Sequence, residues 1–169
     1  MPLIMDKPKE KFDLGTYCVE DSVGYLLARS RTKLAKSADV QLMQYDITHP
    51  QAGIVLMLSS GKYATAAELA RELYIDSASM TRMIDRLQKR GLIVRMPRGD
   101  DRRVINVRLT DDGWALAKQL PKVYVGVLNQ NFADFSPEEV ATLKVLLRKL
   151  LSTGTGDGAV PETNIKQAE

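Results

Sequence analysis

The sequence predicts a mainly α fold with a small β-hairpin. Three observations carry that prediction. Apolar residues recur at helical spacing in six separate stretches, and helix-start signatures precede most of them. Between Leu92 and Leu109 the helical period breaks into strand, turn and strand. A helix with a basic outer face runs into Gly91 immediately before that hairpin. This order builds a winged helix-turn-helix core, with N- and C-terminal helices left over for dimerisation.

The elements follow in order. Met1 to Gly15 is polar with two prolines and reads as a mobile arm. From Glu20 to about Leu42 or Met43, Val23, Leu26, Leu27 and Leu34 give one apolar stripe of a long helix. Thr48-His49-Pro50-Gln51 reads as the next helix start, with Thr48 as cap, Gln51 reaching back and Pro50 in the first turn. The apolar run Ile54 to Leu58 enters the core, and Ser59-Ser60-Gly61 ends it. Thr65-Ala66-Ala67-Glu68 is a second capping box, opening a short helix that buries Leu69, Ala70 and Leu73.

Asp76 or Ser77 can cap the fourth helix. Met80, Met83, Ile84 and Leu87 then face inward, so Ser79, Arg82, Arg86 and Lys89 face outward. Gly91 suits the left-handed position after that helix. Leu92 to Met96 reads as a strand, and Pro97 to Asp101 is turn chemistry. Ile105, Val107 and Leu109 alternate with Asn106 and Arg108, the pattern of a half-buried strand. Thr110 caps a long helix with Asp111 and Asp112 in its first turn, and Pro121 is expected to bend it. Ser136-Pro137-Glu138-Glu139 starts the last helix, whose stripe is Val140, Leu143, Leu147 and Leu150. The resulting domains are a mobile arm (1–15), a helical dimerisation region (16–45 and 111–151), the winged core (46–110) and a disordered tail (152–169). A wide apolar face built from the first and last two helices suits a homodimer. The alternative is that all three stripes are used up inside one chain.

Composition sets bounds on function. A chain of 169 residues with 44% hydrophobic content can bury a real core. No run is long enough to span a bilayer and no signal peptide is visible. A cytoplasmic protein without membrane association is expected. The single cysteine, Cys18, excludes an internal disulfide. One His and one Cys cannot assemble a metal cluster, and no Gly-rich phosphate loop or nucleophile elbow is present. The expectation is therefore a protein that is not an enzyme and needs no cofactor.

The net charge of +3 does not mark a nucleic-acid binder by itself. Its distribution is more telling. From Arg82 to Arg108, eight Arg and Lys89 stand against Asp85, Asp100 and Asp101. A helix that enters the major groove needs small or hydrogen-bonding side chains at its N-terminal end. Ser77, Ala78, Ser79 and Thr81 supply these, and Arg82 and Arg86 are long enough to reach guanine edges or phosphates. The helix that begins at Thr65 would lie across the backbone, its Ala66 and Ala67 N–H groups towards a phosphate. Arg98, Arg102 and Arg103 occupy the hairpin tip, suited to a narrow minor groove. Asp101, two residues before Arg103, can hold that guanidinium in place. The plainer reading of the pair is a surface ion pair of little energetic worth.

The run Asp101-Arg102-Arg103 leading to Val107-Arg108-Leu109-Thr110-Asp111-Asp112-Gly113 resembles the MarR family of bacterial transcriptional regulators. Ile47-Thr48-His49-Pro50-Gln51, Glu68-Leu69-Ala70 and the run Met83 to Ile93 support the likeness, which covers roughly 18–151. The resemblance implies a homodimer placing two winged helices on a pseudo-palindromic double-stranded operator, usually as a repressor. It implies Arg103 as the minor-groove residue. It also implies release by a small ligand, often a phenolic or aromatic carboxylate, or by thiol oxidation.

The family's ligand pocket lies between the dimer helices and the winged helix. Here Tyr25, Arg29, Tyr45, His49 and Gln51 are placed to line it, with Arg29 for a carboxylate and His49 or a Tyr for a hydroxyl. Peroxide sensors of the family carry a Cys directly before Phe-Leu-Leu in the first helix. In this chain that position is Gly24, before Tyr25-Leu26-Leu27. Cys18 lies six residues earlier, beside Glu20 and Asp21, which oppose a thiolate. Three readings stand beside the ligand-released repressor: thiol sensing through Cys18, non-specific DNA packaging, and a winged helix used for protein contact.

Overall fold

The computed structural model describes residues 11–97 and 105–153. The expected arm before residue 11, the wing-tip residues Arg98, Asp101, Arg102 and Arg103, and the tail from residue 154 lie outside the described residues. Two compact units are present, Met1–Leu128 and Asn129–Glu169.

In the first unit, Leu14–Thr16 forms a 3-10 turn capped by Asp13, at the end of the stretch expected to be an arm. Helix α1 spans Val23–Leu42, starting at the Ser22 cap rather than at Glu20. The Ser22 hydroxyl accepts from the Tyr25 N–H, which fixes the start at Val23, the first residue of the apolar stripe. Helix α2 spans His49–Ser59, α3 Ala66–Glu72 and α4 Ser77–Lys89. Strands β1 (Ile93–Pro97) and β2 (Ile105–Leu109) pair antiparallel with Ile93 opposite Leu109. Helix α5 runs Asp111–Asn131 through Pro121.

One core joins these elements. Ala38 and Leu42 of α1, Ile54 and Val55 of α2, Leu69 of α3, and Met80, Ile84 and Leu87 of α4 are buried together with Ile93, Val107 and Leu120. The division between the two units falls inside α5, and Leu116, Ala117 and Leu120 are buried in the same core as the winged helix. Burying each of the Leu, Ile, Val and Met side chains is worth about 1.5–3 kcal/mol. The expected α1 stripe is only partly used: Leu27 and Leu34 are half-buried, while Val23 and Leu26 remain about half exposed.

The hairpin carries an addition that local pattern did not show. The Val107 N–H donates to the Ala64 carbonyl (2.6 Å), and Thr65 bridges Asn106. The chain before α3 thus forms a third edge on β2. Ile105, expected on the buried face, is 43% exposed because the wing extends beyond the core there.

Gly91 takes φ +69° after α4. The Leu92 N–H reaches the Leu87 carbonyl and the Gly91 N–H reaches Gln88, which closes the helix as a Schellman motif. Thr110 then knots three elements. Its N–H donates to the Leu92 carbonyl, its hydroxyl donates to the Gly91 carbonyl (2.6 Å), and the same oxygen accepts from the Gly113 N–H (3.1 Å). Gly113 packs so closely that an added Cβ would overlap the Leu92 carbonyl oxygen.

The second unit contains α6, Pro137–Ser152. Ser136 and Glu139 form its reciprocal cap, the Ser136 N–H donating to Glu139 Oε2 and the Glu139 N–H to Ser136 Oγ. Val140, Leu143 and Leu147 are half-buried, and Leu150 is exposed.

Candidate nucleic-acid interface

The N-terminal half of α4 turns a small, polar and basic face outward. Asp76 caps it, accepting from the Ser79 N–H at 2.8 Å. The Ser79 hydroxyl and N–H hold the Asp76 carboxyl below the usual carboxylate range, and Arg82 adds to this. Arg82 Nη2 in turn donates to Ser79 Oγ at 3.0 Å. Asp76, Ser79 and Arg82 therefore form one chain along the first two turns. Ser77, Ala78, Thr81 and Arg86 are exposed, Ser79 is half-buried, and the Thr81 hydroxyl donates to the Ser77 carbonyl.

The C-terminal half of α4 is clamped on two flanks by arginines that sequence reading left without a role. On one flank Arg95 of β1 places Nη1 2.7 Å from Asp85 Oδ1 and 2.7 Å from Gln88 Oε1, both on α4. This fixes the stem of the wing to the helix. On the other flank Arg90 donates to the Tyr45 carbonyl (2.9 Å) and to the Asp46 carbonyl, and faces the Asp46 carboxylate at 3.7 Å. Asp46 itself sits at φ +53°. Arg90 thereby ties the end of α4 to the link between α1 and α2.

Thr65 is committed locally. Its hydroxyl accepts from the Glu68 N–H, while Glu68 Oε2 accepts from the Ala64 and Thr65 N–H groups. These bonds, the Ala64 one foremost, hold the Glu68 carboxyl low, so a negative charge sits at the start of α3.

The five residues expected to line a ligand pocket fall into one pair and three separate settings. Arg29 lies over the Tyr25 ring at 5.7 Å, one turn apart on α1. His49 places Nδ1 2.9 Å from the Tyr124 hydroxyl of α5, and its N–H donates to Asp39 Oδ1 of α1. Burial lowers the His49 pKa from 6.5, opposed by Asp39 and aided by Arg31. Burial, with Asp39 adding, pushes Tyr124 up to about 12. Gln51 is buried, and its Oε1 accepts from the Thr48 N–H and hydroxyl. Gln51 lines a cleft of about 640 Å³ together with Met43, Ile47, Arg86, Lys89 and Arg90. Tyr45 is half-buried beside the Arg90 clamp. Asp39 and Tyr124, which complete the His49 cluster, were not among the residues selected from sequence. They lie 10 and 75 positions away, beyond any local signal.

Cys18 is exposed, and its thiol donates to Glu20 Oε2 at 3.3 Å. Among the described residues no His/Cys/Asp/Glu group could hold a metal, and no helix is long and apolar enough to cross a membrane.

The family model described as "MarR family" matches residues 47–105. The multiple antibiotic resistance protein MarR of Salmonella typhimurium is 33% identical over 130 residues, spanning 76% of this chain and 90% of that protein. A mutant of Escherichia coli MarR complexed with operator DNA matches with TM-score 0.70 at 30% identity, covering 76% of this chain and 92% of that one. Bordetella bronchiseptica BpsR, whose DNA binding is regulated by 6-hydroxynicotinic acid, matches with TM-score 0.72 at 26% identity, covering 82% and 99%.

Proposed function

The chain belongs to the MarR family of DNA-binding transcriptional regulators, and from that premise we propose that it is a homodimeric repressor released from a pseudo-palindromic operator by a small aromatic acid. The observation that carries this reading is α4. Its first two turns expose Ser77, Ala78, Thr81 and Arg82, and its buried side and both flanks are anchored. The operator-bound MarR structure has the same fold over nine-tenths of its length. Two such helices must sit about one DNA turn apart, and a dimer sets that spacing. The exposed apolar side chains Val23 and Leu26 on α1 and Val125 and Leu128 on α5 support a dimer face. In this reading Arg82 and Arg86 meet base edges or phosphates. The wing carries Arg98, Arg102 and Arg103 to the backbone and minor groove, with Asp101 steadying Arg103.

The aromatic acid is supported by BpsR, whose regulator carries both a ring hydroxyl and a carboxylate. The Tyr25–Arg29 pair offers a cation beside a ring for such a molecule. A second reading, oxidation of Cys18, has the exposure of its thiol in its favour.

A mobility shift on DNA flanking the gene, with random competitor and then a panel of aromatic acids, tests both steps. Binding that survives competitor by about 10³-fold and is lost with one acid is the expected result. Survival that no acid reverses, but peroxide does, moves the trigger to Cys18. Equal binding to random DNA replaces the regulator with a packaging protein, and no binding at all points to protein contact.

A further inference from the structure

Tyr74 stands in the turn between α3 and α4 at φ +52°, the left-handed region, with its side chain 81% exposed. That conformation costs a residue other than glycine about 1–2 kcal/mol. The ring also forgoes the burial that aromatic side chains usually gain. Nothing in the turn requires tyrosine. Closure is by main chain: the Tyr74 N–H donates to the Arg71 carbonyl and the Ile75 N–H to the Ala70 carbonyl, bonds that glycine would make with less strain. The core is served by the neighbours on either side, Leu73 and Ile75. A strained, wet aromatic that the turn does not need points to a use outside the chain.

Its place says which use. Tyr74 precedes the Asp76 cap by two residues and Ser77 by three. At a maximum of about 3.6 Å per residue, its Cα lies within about 11 Å of the helix end that enters the major groove. The groove is itself about 12 Å wide and is bordered by phosphates. A phenol at that rim meets phosphate oxygens, which accept hydrogen bonds from tyrosine and fix how a helix sits without reading sequence. We propose that Tyr74 is a further DNA-contact residue, its hydroxyl donating to a phosphate oxygen beside the entry point of α4. The proposal rests on the DNA-binding reading above.

The test uses the full chain with Tyr74→Phe and Tyr74→Gly, on DNA flanking the gene and on random DNA. Tyr74→Phe is expected to weaken binding about tenfold per half-site, and so roughly 10²-fold for a dimer, on both DNAs, the effect of losing one hydrogen bond to a charged group in each half. Tyr74→Gly is expected to weaken it at least as much while its Tm stays level or rises, because the backbone strain is relieved. Ethylation of one phosphate per half-site should impede the parent protein and not Tyr74→Phe. Parent-like binding by both variants overturns the proposal and leaves the regulator reading intact. A loss in Tyr74→Gly alone overturns the hydroxyl contact in favour of the ring. Failure of the parent protein to bind either DNA overturns both readings together.

Discussion

The junction around Thr110 and the first two turns of α1 obey opposite rules. At the junction polar groups are answered within the chain: Thr110 alone serves Gly91, Leu92 and Gly113. On α1, Val23 and Leu26 are 51% and 48% exposed although they follow a regular apolar stripe. The junction has a solution inside one chain. The α1 face has the composition of an interior and the exposure of a surface. The core takes in the C-terminal end of α1 and the first half of α5, while the first turns of α1 keep apolar side chains outside it.

That contrast can be broken first at the junction. Gly113→Ala should cost about 3 kcal/mol in denaturant unfolding, because the new methyl meets the backbone carbonyl of Leu92 and not a flexible side-chain tip. The converse test is Leu26→Asp. It should leave the circular dichroism unchanged, shift sedimentation from dimer to monomer and weaken operator binding by roughly 10²-fold, as the advantage of linked half-sites is lost. Unfolding instead would mean that the α1 face belongs to the chain's own core.

Between the two regions lies His49, on α2 and bonded to both α1 and α5. Its folded pKa is lowered from 6.5. The unfolded chain therefore binds a proton more readily, and stability falls as pH drops below 6.5 and through the folded value. The slope of Tm between pH 7 and 5 should be shallower in His49→Gln. A smaller effect is expected for the Arg95 clamp. An Asp85→Ala/Arg95→Ala double-mutant cycle should give a coupling of about 0.5 kcal/mol that shrinks with salt, since both side chains are about a third or more exposed. Smallest of all, Cys18→Ser should leave operator binding and its release unchanged; loss of peroxide-induced release would identify the thiol as the trigger.

The elements were legible in the sequence wherever the signal was local. The reciprocal caps at Thr65/Glu68 and Ser136/Glu139, the Asp76 cap and the left-handed Gly91 depend on residues within a few positions of one another. So does the division of α4 into the buried Met80, Ile84 and Leu87 and the exposed Arg82 and Arg86. What escaped was long-range. Tyr124 answers His49 across 75 residues, Ala64 supplies an edge to Val107, and Arg90 reaches back 44 residues to Asp46. Gln51 reads from sequence both as a ligand contact and as a cap; the cap is made, its Oε1 accepting from the Thr48 N–H, and the same residue lines the cleft beside Arg86 and Arg90. Tyr74 left no trace in a pattern search because its message is a backbone angle.

The two sides of α4 also bear on how such a protein changes over generations. Its anchorage uses Met80, Ile84, Leu87, Asp85 and Gln88, whereas Ser77, Ala78, Thr81 and Arg86 are exposed. On the proposed reading, substitutions on the outer side would alter the address that is read with little loss of stability, and substitutions on the inner side would alter stability with little change of address. A duplicated copy would then be able to drift to a new operator through single changes, each of which still folds.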